Sequence, residues 1–267
     1  MTAKRNESKK RTYTTAISKG AGMIEETRRL LGLWHPDESL DDFARRVQEE
    51  GLLGNATAYR TRDVVKRVFA PRFLKPDDKP AKLLQKVLSA YLPGRVFTEL
   101  VFLYTARFDP LVYDFTSHEF WPSVRRGSRV MDTGRILSFL SEAFYDGRIE
   151  NQWSENVSVR IARCLLGLLR DVGFLRGSTR AGREVVDYHM SDEGAALLAR
   201  DLHESGVTDS SICDHGDWGL FGLTPVEVLE KLDGIGEHRG LIVQSAGSVV
   251  HFTWTVGSSE ELIDALA

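Results

Sequence analysis

The stretch from Ser154 to Gly173, SENVSVRIARCLLGLLRDVG, decides the fold class. Val157, Ile161, Cys164, Leu165, Leu168 and Leu169 recur at helical spacing and form one apolar face. Ser154 stands where an N-cap hydroxyl accepts from the first turn, and Gly173 where the chain leaves the helix. Arg160, Arg163 and Arg170 fall off the apolar face. This spacing predicts a helix over 154–172 that buries its leucines and shows its arginines to solvent.

Outward from that helix the pattern changes. Phe174-Leu175-Arg176 is strand-like, Gly177 to Gly182 is a turn carrying Arg180, and Val185 to Met190 is a returning strand. Ser191 then caps another helix through His203. Helix, hairpin with a basic loop, helix is the winged-helix pattern, in which a helix can enter the major groove while the loop touches the backbone. On the other side, Asp132 or Thr133 starts a helix to Tyr145, stopped by Asp146-Gly147. Little room for a further helix remains between Tyr145 and Ser154. Pro122 to Ser128 reads as a basic turn, and Asp109-Pro110 opens a short helical piece.

Nearer the start, a helical pattern begins at Ser18 and carries Met23, Ile24, Leu30, Leu31 and Leu33 near one face. Ser39 begins a second helix, with Asp41 and Asp42 in its first turn. Asn55 or Thr57 caps a third helix through Phe69, with Val64, Val65 and Val68 inward. Pro71, Pro76 and Pro80 punctuate a loop before two helices at about 81–91 and 94–106. Towards the end, Thr224-Pro225 opens a helix to Leu232. Strands at 241–243 and 249–254 make a hairpin, and a last helix spans 259–266. The expected fold is mainly α. A disordered basic arm (1–12) precedes a helical N-terminal domain (13–128), a winged-helix-like domain (129–208) and a C-terminal helix-hairpin-helix unit (209–267).

Composition supports a packed chain: 42% of the 267 residues are hydrophobic and 27% charged. Two cysteines, Cys164 and Cys213, are too few for a disulfide framework. The polar start holds no signal-peptide pattern. The most apolar segments, Thr98 to Ala106 and Cys164 to Leu169, fall well short of the roughly 20 residues a bilayer core requires. The expectation is a cytoplasmic protein with no membrane segment. The net charge of −3 hides an asymmetry. Of 38 acidic and 35 basic residues, 14 and 3 lie from Met190 onward, leaving 24 and 32 in residues 1–189. The first part is thus +8 and the last −11, a basic working surface beside an acidic end.

Catalytic patterns are missing. The seven histidines are scattered, and Cys213-Asp214-His215 lacks further ligands at structural-zinc spacing. No phosphate-binding glycine loop or nucleophile elbow occurs. The reading is a non-enzyme without cofactor or metal. The basic residues carry the positive signal: Arg60, Arg62, Lys66 and Arg67 on the third helix, Arg125 and Arg126 in the turn, Arg160 and Arg163 on the decisive helix, Arg180 and Arg183 at the hairpin. Such side chains neutralise phosphates and give salt-sensitive affinity that depends weakly on sequence.

The opening from Tyr13 to Arg28, with small residues, Gly20, Gly22 and Glu25 before the first helix, resembles the start of the BrxA family of BREX phage-defence systems. The segment from Asn55 to Arg62 is similar too, as are Trp153-Ser154 before the leucine-rich helix and Trp218 to Gly222 before the Pro225 helix. The resemblance spans residues 13–260 and rests on order and spacing together. It implies a small helical component without known catalysis, capable of binding double-stranded DNA beside an ATPase and a DNA methyltransferase. Family members have also been labelled inner-membrane proteins, which the missing apolar span contradicts, or compared with the RNA-binding antitermination protein NusB. Two alternatives therefore stand beside DNA binding: a scaffold that binds only protein partners, and RNA binding by the N-terminal helices.

Overall fold

Local caps set the first helices. In the computed structural model, which describes residues 12–267 apart from 55, 178–181, 237–238 and 247–248, a 3-10 turn over Ala16–Lys19 leads to α1 (Ile24–Leu33). The expected arm thus lies outside the described residues, save for its last one. α1 starts later than Ser18 because Gly22 and Met23 hold left-handed backbone, with φ of 63° and 50°. α2 (Leu40–Glu49) and α3 (Ala58–Val64) start as expected: the Ser39 hydroxyl accepts from the Asp42 amide, and that of Thr57 from the Arg60 amide.

Two prolines depart from the sequence reading in the same way. α3 runs through a wide π turn, Val65–Phe69, into α4 (Ala70–Phe73), so Pro71 lies in a helix and not in a loop. After α5 (Lys79–Ser89), α6 (Gly94–Phe108) and α7 (Pro110–Asp114), a second π turn, Phe115–Phe120, leads into α8 (Trp121–Arg125) and its Pro122. A proline has no amide to donate to the carbonyl four residues back. A π turn just before it re-pairs that backbone, so the helix continues. The basic turn expected over Pro122–Ser128 accordingly begins only at Arg126.

The next unit consists of β1 (Val130–Met131), α9 (Thr133–Tyr145), α10 (Glu155–Val172), β2 (Leu175–Arg176) and β3 (Arg183–Val185). The caps expected of α9 and α10 are present: Asp132 accepts from the Arg135 amide, Ser154 from the Val157 amide, and Gly173 closes α10 at φ 94°. The three strands pair antiparallel in the order β1-β3-β2. The returning strand is therefore shorter and earlier than the expected 185–190. It pairs with β1 from Arg183, and the chain then leaves the sheet so that Tyr188 reaches α6. α11 (Asp192–Glu204), α12 (Asp209–Ile212), α13 (Pro225–Asp233), the hairpin of β4 (Leu241–Ala246) with β5 (Val249–Trp254), and α14 (Ser259–Leu266) follow.

The fold is thus mainly helical with two small antiparallel sheets. One apolar core runs from Tyr13 to Leu266. Ile161, Leu165, Leu168 and Leu169 are buried in it, as their spacing predicts. Phe174, just past α10, packs against Phe102, Phe120, Trp121, Tyr188 and Phe221. No described helix is long and apolar enough to cross a membrane.

One buried carboxylate ties this core together. Glu99 of α6 is 1% exposed and accepts from the Tyr188 hydroxyl at 2.7 Å, the Ser191 amide at 2.8 Å and the Ser191 hydroxyl. Arg95 adds an ion pair at 3.4 Å. The negative group sits at the first turn of α11, where the helix dipole favours it. Glu99→Gln keeps an acceptor oxygen but turns an NH2 towards donors, which is expected to cost about 1–2 kcal/mol. Urea denaturation checks this, and an unchanged midpoint would show that the hub contributes nothing.

Candidate nucleic-acid interface

α10 has two chemically distinct sides. Its apolar face packs inward against α9, β2, α6 and the Ala16–Lys19 turn. Directly opposite, Arg160, Arg163 and Arg170 are exposed. Gly167 lies between them, and a Cβ there would meet nothing within 4 Å. Arg170 is held by Asp171 at 2.6 Å. Arg160 and Arg163 have no ion-pair or hydrogen-bond partner among the described residues, so both guanidinium groups are free to engage an anion.

The adjoining sheet adds further cations. Arg126 and Arg129 precede β1, are exposed and are likewise without partners among the described residues. The Arg129 carbonyl accepts from the Val185 amide at 2.9 Å, which fixes this segment beside β3. Gly182 opens β3 at φ 89°, and a Cβ there would lie 2.5 Å from Val130, so the hairpin closes on β1 only with glycine. Arg180 lies outside the described residues. Arg183 corrects the sequence reading. It is 6% exposed and donates inward to the Gly177 carbonyl at 3.2 Å, and burial lowers its pKa, helped by Arg170. β1 pairing turns this side chain to the covered face, so it supports the hairpin and offers no outward phosphate contact. Arg176 is paired across the strands with Glu184 at 2.6 Å.

The third-helix cluster is more self-contained than its sequence suggests. Lys19, Arg60 and Arg67 converge on Asp63 at 3.4, 3.7 and 3.3 Å. Arg60 also donates to the Lys19 carbonyl at 2.6 Å, and Lys66 pairs with Asp41 at 2.6 Å. Only Arg62 of this group is exposed without a hydrogen-bond or ion-pair partner among the described residues, and it acts electrostatically on Asp41. Arg125 donates to the Gly222 carbonyl at 2.6 Å and thereby anchors α8. The cluster adjoins α10 through the N-terminal segment. Lys19 reaches Asp63, while Gly22, a little further on, abuts the Asp171 carboxylate at the C-terminal end of α10.

Tyr13 holds that segment in place, a role the sequence reading did not give it. Its hydroxyl donates to Asp114 at 2.7 Å and accepts from Arg148 at 2.6 Å, and its amide donates to the Arg148 carbonyl at 2.7 Å. Burial, reinforced by Asp114, pushes the Tyr13 phenol well above its ordinary range. Elsewhere, Cys213 is buried, and desolvation with Asp214 beside it pushes its thiol up to about 11, far from thiolate chemistry at neutral pH. Among the described residues no group of three His, Cys, Asp or Glu is placed to hold a metal ion.

A family model described as BrxA matches residues 11–201. Those residues include α10, the three-stranded sheet and the α3 cluster, and exclude most of the acidic end. Among solved structures, the crystal structure of an uncharacterized protein from Magnetospirillum magneticum matches 73% of this chain and 95% of its own, at 17% identity and a TM-score of 0.57. At that identity the likeness is one of fold. No curated protein matches the chain.

Proposed function

This chain belongs to the BrxA family, and from that premise we propose that it binds duplex DNA, chiefly through phosphates, as a non-catalytic component of a BREX phage-defence system. The observation that carries the reading is the outward face of α10, where Arg160 and Arg163 stand exposed and unpaired among the described residues. Free guanidinium groups there would displace condensed counterions from DNA at little cost, since no internal ion pair has to break.

The surrounding elements support the same reading. In this reading helix α8, strand β1, helices α9 and α10 and the β2–β3 hairpin, with sheet order β1-β3-β2, make up a winged-helix unit. α9 would then serve as the second helix, since little room for another remains between Tyr145 and Ser154. α10 becomes the groove-facing helix, with Arg126 and Arg129 as flanking phosphate contacts. Arg62 and the net-positive cluster around Asp63 extend the basic surface. The partners in this reading are DNA and other BREX components, an ATPase and a DNA methyltransferase among them, in the cytoplasm.

The acidic end favours a second reading, a protein-binding scaffold, because residues 190–267 carry a net −11. Binding of labelled duplex, single strand and RNA distinguishes the readings. DNA binding expects duplex to be held tightest. A scaffold expects none to be held, and RNA binding by the N-terminal helices expects a preference for RNA. The purified chain is also expected to hydrolyse neither ATP nor DNA and to transfer no methyl group. Metal-dependent DNA cleavage that follows the chain and vanishes with one carboxylate substitution would contradict that.

A further inference from the structure

A cavity of about 700 Å³ opens between α4, α5 and the end of α6 on one side and α11 with the start of α14 on the other. Its α14 wall, Ser258 to Glu260, lies beyond the residues that match the BrxA family model. Arg72 lines it and is anomalous. The residue is 5% exposed, its Nε is buried without a partner, and no hydrogen bond reaches its guanidinium among the described residues. Asp109 is near enough to act electrostatically but forms no ion pair with it. Burial lowers the Arg72 pKa to about 10, against that opposing influence of Asp109, which leaves the group cationic at neutral pH. A buried, charged and unpaired arginine is costly unless something binds it.

The rest of the wall suits an anion. Lys75 and Lys79 are exposed at the cavity and pair with no carboxylate among the described residues. Two of the acids present are held by cations: Asp201 by Arg107, with Tyr104, and Glu204 by Arg200, with the Ser259 amide. Asp77, which accepts from the Lys79 amide, and Glu260 are the remaining acids. Phe108, 39% exposed, adds an aromatic surface. The volume is typical of small-molecule sites.

We propose that this cavity binds a phosphate monoester of mononucleotide size, its phosphate held by Arg72 with Lys75 and Lys79 and its apolar body against Phe108. Asp109 acts on Arg72 without bonding to it, and the acceptor oxygens of a phosphate would supply the hydrogen bond that the buried Arg72 Nε lacks. The site is separate from the α10 face and does not rest on DNA binding.

Isothermal titration of the full chain at low salt with adenosine, cytidine and flavin monophosphates, with inorganic phosphate as the minimal probe and adenosine as the uncharged control, tests this. At least one monophosphate is expected to bind, and adenosine to bind about tenfold more weakly or not at all. Arg72→Met removes the cation that acts on the buried Asp109 carboxylate, so its melting temperature is expected to fall. It should also weaken the monophosphate about ten- to a hundredfold. The Lys75→Ala/Lys79→Ala protein changes only exposed side chains and should weaken binding severalfold, even if the Arg72 variant fails to fold. The proposal is overturned if no monophosphate and no phosphate binds, if adenosine binds as well as its monophosphate, or if the lysine pair can be removed without loss.

Discussion

Leu165→Ala is expected to destabilise the protein by about 2–5 kcal/mol, the range for a leucine truncated in a closed core. Leu165 is fully buried midway along α10, between Ile161 and the Leu168-Leu169 pair, which are also buried. The helix is gripped by α9, α6, β2 and the Ala16–Lys19 turn, so the space left by three carbons has little freedom to collapse. Helix propensity does not offset this, because alanine gains only a few tenths of a kcal/mol over leucine. Urea denaturation should show a lower midpoint at unchanged slope. An unaltered midpoint would mean that α10 is not packed on its leucine face, and the outward placement of Arg160 and Arg163 would lose its basis.

Arg160→Ala/Arg163→Ala is expected to cost little stability and much DNA affinity. Both side chains are exposed and unpaired among the described residues, so their removal leaves no buried charge behind. Each phosphate contact contributes about 0.9 decades of affinity for every decade of salt below 1 M, so losing two contacts should weaken duplex binding about sixtyfold at about 0.1 M salt. The loss should be equal on unrelated sequences, because backbone contacts position without specifying. Arg163→Lys should do less harm than Arg163→Ala unless a bidentate base contact is made. Arg60→Ala should do less than Arg160→Ala, since Arg60 is already engaged with Asp63 and the Lys19 carbonyl. Fluorescence anisotropy with two unrelated duplexes measures all of these. A loss confined to one sequence would move the reading to base recognition.

What the sequence made legible was local. The α10 stripe, the Ser154 and Gly173 boundaries, and the caps at Ser39, Thr57 and Asp132 each depend on residues within a turn or two. What it hid depended on distant partners. β1 is two residues long and exists because β3 lies beside it, and that same pairing turns Arg183 inward. Pro71 and Pro122 looked like stops because the wide turns that accommodate them have no simple residue signature. Some signals were present but unread. Asp63 stands three residues after Arg60 and four before Arg67, a spacing that puts a carboxylate against both cations on a helix. Glu99 is a lone acid inside the apolar run of α6, and Arg72 a lone cation between Phe69 and Phe73. Both proved to be buried polar groups, one satisfied and the other not.

The measurement closest to the central claim is the salt dependence of duplex affinity for the unaltered chain and for Arg160→Ala/Arg163→Ala. The DNA-binding reading expects binding that falls steeply with salt, and a logarithmic slope shallower by about 1.8 in the variant, from two lost phosphate contacts. Coincident slopes, or no duplex binding by the unaltered chain at low salt, would contradict it.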